Sequence, residues 1–135
     1  MATFLAHITV KPGYEADFEA IVAALYVASH TAEPGLRRYE YWRGADPRTY
    51  YTHASFDDFG AFLDHQVSDH HESALPKLTE VVESIRLEWV DPIVSASPLV
   101  PTDTCPLTDG ASEVLARYHD RYAAEIQDWW LPLRG

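Results

Sequence analysis

Apolar and polar residues alternate from residue 3 to residue 10. Phe4, Ala6, Ile8 and Val10 fall on one side, and Thr3, Leu5, His7 and Thr9 on the other. A period of two marks a strand with one buried face. After the "KPGY" turn, Phe18, Ile21, Val22, Leu25 and Ala28 recur at helical spacing, with acidic residues in the first turn where they suit the helix dipole. "AEPG" stops that helix. Residues 36–43 and 49–56 are predicted as strands joined by "GADPR" into a hairpin. Asp57 is placed as the N-cap of a helix that turns Phe59, Phe62 and Leu63 inward. A second helical stretch carries Leu75, Leu78, Val81 and Val82, and residues 85–90 form a last strand ended by Asp91-Pro92. The order β-α-β-β-α-β predicts an α+β, ferredoxin-like domain with an antiparallel sheet over residues 1–94.

The composition then shifts. Residues 95–110 are rich in Pro, Ser and Thr and read as a linker or a surface-hugging arm. Residues 111–130 are predicted as a C-terminal amphipathic helix with a stripe of Leu115, Tyr118, Tyr122, Ile126 and Trp129.

A chain of 135 residues with 47% hydrophobic content is sized for one globular domain. A net charge of −11 argues against nucleic acid as a partner, because phosphate binding needs a concentrated basic face. No apolar run reaches the roughly 18 residues of a membrane span. The N-terminus lacks a basic, cleavable leader pattern, so a cytoplasmic location is expected. The single cysteine, Cys105, gives neither a disulfide framework nor a zinc ribbon. Asparagine is absent from the chain.

Sorting the strands by parity puts Phe4, Ala6, Ile8, Tyr39, Tyr41, Tyr50, Thr52, Phe56, Leu87 and Trp89 beneath the helices, with Arg37 at the edge. The other face holds His7, Arg38, Glu40, Trp42, Tyr51, His53, Ser55, Arg86 and Glu88. That second face is too apolar to stand bare and too charged for a dry core. Self-association through it, as a homodimer, is the expectation.

Three stretches, "AHITVKPGYEADFEA", "EPGLRRYEYWR" and "SFDDFGAFLDHQVSDHH", occur in an order and spacing that resemble the antibiotic biosynthesis monooxygenase (ABM) family over roughly residues 2–94. The resemblance implies a dimeric α+β barrel with a pocket in each subunit between sheet and helices. It also implies kinship with cofactor-independent oxygenases of anthrones and quinols and with haem-degrading relatives. The haem-degrading branch uses an Asn on the first strand, a Trp at the end of the third and a helical His. Here the first of these positions falls near Ala6 and the second on Phe56, and Ala54 replaces a frequent Glu. Haem degradation is therefore not expected, and anthrone oxygenation loses support.

A cofactor-free oxygenase has to deprotonate an electron-rich phenol or hydroquinone, stabilise the anion and exclude water. His70, His65 and Tyr50 are the candidate catalytic residues, and Arg37, Tyr39, Tyr41, Phe56 and His71 the candidate substrate contacts. A small aromatic substrate and O₂ are the expected partners, with no organic cofactor. The Tyr and Phe side chains are equally readable as core. If one helix runs unbroken through "LDHQVSDHHES", His70 points inward; if Ser68 or Asp69 caps a new helix, His71 does, and Pro76 favours some break. The reading favours His70. No metal site is expected, because adjacent histidines project about 100° apart on a helix and His65 and His70 do not have the i, i+4 spacing of helical ligands. The alternative function is a non-oxidative binding or isomerase module on the same scaffold. The C-terminal helix is open to two roles, pocket lid or oligomer contact.

Overall fold

The computed structural model describes residues 1–135. Its elements are β1 (Ala2–Val10), α1 (Glu15–Ala32), β2 (Leu36–Arg43), β3 (Thr49–Phe56), α2 (Phe59–Val67), α3 (Asp69–Val81), β4 (Val82–Trp89), α4 (Glu113–Arg121) and a 3-10 helix over Asp128–Leu133. The strands lie in the order β2-β3-β1-β4, every neighbour antiparallel. This is the ferredoxin-like arrangement that the hydrophobic pattern predicts. No helix is long and apolar enough to cross a membrane.

The alternation in β1 is what seats the helices. Phe4, Ala6, Ile8 and Val10 are buried and meet Phe18, Val22 and Leu25 of α1 and Phe59, Phe62 and Leu63 of α2 in one apolar cluster. Phe62 is fully buried and packs edge-on against Phe4, Phe56 and Trp89. Side chains of that size stabilise by roughly 1.5–3 kcal/mol each when buried. Gly35 lets the entry to β2 run close to α2: a Cβ placed there would sit 2.7 Å from the Ala61 Cβ.

Four boundaries differ from expectation, each for a local reason. Asp58, not Asp57, caps α2, its carboxylate accepting from the Ala61 N–H at 2.8 Å. Asp57 instead turns outward and pairs with Arg37. A break after Val67 starts α3, with Ser68 as N-cap accepting from the His71 N–H. The last strand begins at Val82, directly from the helix, because Val82 pairs with Val10 across a register shift at the end of β1. The C-terminal helix stops at Arg121 instead of running to residue 130. Beyond it the chain folds back, and Arg134 reaches Asp91 at 2.9 and 3.0 Å and the Thr102 carbonyl at 2.9 Å. A straight helix would carry Arg134 away from that anchor, so the tertiary tie overrides the amphipathic pattern.

Residues 95–110 lie against the domain as an arm. Thr102 is fully buried: its hydroxyl donates to the Val90 carbonyl at 2.6 Å and accepts from the Thr3 N–H at 3.3 Å.

Candidate functional site

The break at Ser68 decides the geometry of "LDHQVSDHHES". Because α3 starts afresh, His71 turns toward the sheet, while His70 lies back against α1. The unbroken-helix expectation that His70 faces the interior is therefore corrected: the cavity wall holds His71 and not His70.

That cavity, of about 410 Å³, lies between the helices and β1, β2 and β4. Phe4, Ala6, Ile8, Phe18, Leu75, Leu78 and Leu87 form its apolar wall, and Tyr39, Tyr41, His65 and His71 bring polar atoms to it. Tyr118 and Arg121 of α4, with Tyr122 directly after it, contribute a further side. The polar groups are contiguous. The Tyr39 and Tyr41 hydroxyls are 2.6 Å apart, the Tyr39 and His65 rings 4.9 Å apart, and the His65 and His71 rings 5.0 Å apart.

Behind this wall stands Glu33, which closes α1. Its carboxylate accepts from His65 Nδ1 at 2.9 Å and from His70 Nε2 at 2.6 Å. Burial alone would push the Glu33 carboxyl up. The His65 hydrogen bond and charge, with hydrogen bonds from Ser29 and His70, outweigh it and hold the group down to about 2. The ionised Glu33 carboxylate accepts the Nδ1–H of His65 and so fixes the orientation of the ring. In the singly protonated ring this contact leaves the lone pair on Nε2. Such a carboxylate–imidazole pair is a recurrent way to orient a base.

His71 is held differently. Burial, then the charge of His65, pushes its imidazole down to about 4, so it is neutral at pH 7. Its Nδ1 is buried without any hydrogen-bond partner. A buried orphan of this kind costs on the order of 1–3 kcal/mol. Burial also raises both tyrosines, Tyr39 well above the ordinary range and Tyr41 to about 12. Both stay protonated and able to donate.

The other expected site residues lie elsewhere. Phe56 is fully buried core, its ring 5.2 Å from His65, and supports the site from behind. The Tyr50 hydroxyl donates to Glu19 at 2.9 Å in a separate, open groove between α1 and the β2–β3 hairpin. Arg37 sits where the β2–β3 register skips a residue, and its exposed side chain pairs with Asp57 outside the cavity. Glu33, Tyr118 and Arg121 are additions that the sequence reading missed. Glu33 carried a signal: a carboxylate at a helix C-terminus opposes the dipole and needs a compensating partner.

Glu33, His65 and His70 present ligand atoms within 4.8 Å of one another, a set able to hold a metal ion. The spacing argument against such a set assumed one continuous helix, and the break at Ser68 removes that premise. The hydrogen bonds among the three already account for their convergence.

Fold and site together define a ferredoxin-like domain with an aromatic cavity between sheet and helices and a histidine–tyrosine wall. The family model described as antibiotic biosynthesis monooxygenase matches residues 1–77, more than half of the chain. The chain belongs to that family. Among solved structures, it superposes on a protein of Shewanella oneidensis with a TM-score of 0.61 at 27% identity, covering 66% of this chain and 87% of the other. A Pseudomonas aeruginosa protein matches with a TM-score of 0.62 at 23% identity, over 66% of this chain and 90% of that one. A Caulobacter crescentus protein, named among the antibiotic biosynthesis monooxygenases, matches with a TM-score of 0.65 at 20% identity, over 68% and 89%. No curated protein matches the sequence. The family match ends within α3, so α4 and its cavity residues lie outside it.

Proposed function

We propose that the protein is a monooxygenase of flat phenolic or quinol-like molecules, working through its own side chains. The observation that carries this reading is neutral His71 in the wall of an aromatic cavity, beside the paired Tyr39 and Tyr41 hydroxyls. A hydroquinone hydroxyl in the cavity passes its proton to the neutral His71 imidazole. The imidazolium formed is then stabilised by the phenolate beside it. Within the Tyr39–Tyr41 pair one hydroxyl donates to the other, which in turn donates to the developing oxyanion, and His65, oriented by Glu33, is a second acceptor. The electron-rich anion reduces O₂. One oxygen atom joins the ring and the other leaves as water, so that a hydroquinone and O₂ give a hydroxyquinone and water. Apolar walls keep bulk solvent from the reduced oxygen.

The test is oxygen uptake with a hydroquinone panel under ¹⁸O₂. Label in the product supports oxygenation. Turnover to an unlabelled isomer favours the non-oxidative reading, which the missing Asn and the Phe56 in place of Trp keep open.

The same proposal includes a homodimer formed through the outer sheet face. Trp42 is 59% exposed there, and His7–Glu88 and Arg38–Glu40 pairs lie alongside it. An aromatic residue among balanced charges suits a self-complementary interface.

A further inference from the structure

One permanent cation borders the cavity, at an exposed position on its rim. Arg121 of α4 lines it, and no lysine or other arginine does. Its isolation is uncommon in this molecule. Arg37, Arg38, Arg43, Arg48, Arg86 and Arg134 each pair with a carboxylate within 4.0 Å. Arg121 has no such partner, although the chain carries 21 acidic residues against 10 basic ones. It rests instead over the Tyr122 ring at 5.2 Å, an arrangement that directs the guanidinium without neutralising it. The one carboxylate in the cavity wall, Glu83, is already held by Arg48 at 3.0 Å. The guanidinium fork therefore stays free for a planar anion.

The element that brings it is fixed in place. The Tyr118 hydroxyl donates to Glu72 of α3, and the Tyr118 and Tyr122 rings stack at 6.2 Å. Both rings also line the cavity. A segment beyond the family match thus adds two aromatic surfaces and one unpaired cation to a cavity whose only carboxylate, Glu83, is already paired with Arg48.

We propose that Arg121 is a specificity-determining residue, and that the cavity takes an aromatic molecule bearing an acidic substituent such as a carboxylate. The phenolic end meets Tyr39 and His71, and the acidic group meets Arg121. This rests on the reading of the cavity as a substrate site.

The test is anaerobic calorimetric titration of the intact chain with 1,4-dihydroxy-2-naphthoate and its neutral amide at low ionic strength. The carboxylate is expected to bind about tenfold tighter than the amide, the size of one charge-assisted contact, and added salt narrows the gap. Arg121→Gln brings the two affinities together and leaves the amide unchanged. Arg117→Gln, which removes a cation that does not line the cavity, keeps the preference. Equal binding of both probes by the native protein, binding of neither, or a preference that survives Arg121→Gln overturns the proposal. Label incorporation from ¹⁸O₂ separates the two readings. A protein that discriminates the carboxylate but oxygenates neither probe retains the anion site and loses the oxygenase assignment. One that oxygenates both without preference does the reverse.

Discussion

Glu33 and His65 meet at 2.9 Å although they belong to different helices, and their contact ties the end of α1 to α2 beside the cavity. Glu33 is held down to about 2 from its usual 4.5, while His71 is pushed down to about 4 from 6.5. Both shifts make the native state more stable at neutral pH than in acid. Between pH 6.5 and 4 the unfolded chain binds a proton at His71 that the native state does not, so stability falls as pH drops through that window. Glu33 adds a second loss between pH 4.5 and 2. Each contribution is on the order of 3 kcal/mol at most. Urea unfolding followed against pH is expected to show both phases, with His71→Phe removing the first and Glu33→Gln the second.

His71 and His70 are neighbours in sequence with opposite environments, so substituting each separates their roles. His71→Ala is expected to lower the oxygenation rate by roughly a hundredfold or more, the scale of a lost general base. His70→Ala, which disturbs Glu33 but not the cavity wall, is expected to cost less than about tenfold. Steady-state oxygen uptake with one hydroquinone checks both; equal losses would contradict the assignment.

The sheet and the first three helices were readable because each strand alternates and each helix repeats with its own period. The site was only partly readable. Tyr39 and Tyr41 were identifiable as polar residues on the strand face destined for the interior, and His65 and His71 as histidines of the helical segment that covers it. Which histidine points in depended on Ser68, whose side chain can cap a new helix or ride along an old one. Arg37 was lost to a register skip that no local pattern marks. Glu33 was read as part of a stop signal because its partners lie more than thirty residues away. The C-terminal helix was overextended because its pattern continues to Trp129, whereas its length is set by the distant Arg134–Asp91 contact.

The outer face of the sheet leads to a prediction about assembly. Trp42 is the largest exposed apolar side chain on that face, with Tyr51 beside it across the hairpin. Sedimentation at micromolar concentration is expected to give a dimer. Trp42→Glu places a charge at the centre of the proposed contact and is expected to weaken association at least tenfold, leaving the circular dichroism spectrum unchanged. A native protein that sediments as a monomer would count against the dimer.

Asp91 is the knot that holds the C-terminal arm. Its nearly buried carboxylate accepts from Arg134 at 2.9 and 3.0 Å and from the Thr102 N–H at 3.0 Å. Removing it strands a mostly buried guanidinium and a backbone donor together, which costs more than the loss of an exposed pair. Asp91→Ala is expected to destabilise the protein by about 2–4 kcal/mol. It should also open residues 95–135 to limited proteolysis before the sheet domain is cut. Arg134→Lys keeps the charge but not the two-pronged geometry, and is expected to fall between the native protein and Asp91→Ala. If the arm in Asp91→Ala resists protease as well as the native arm does, packing of Thr102 and α4 alone holds it in place.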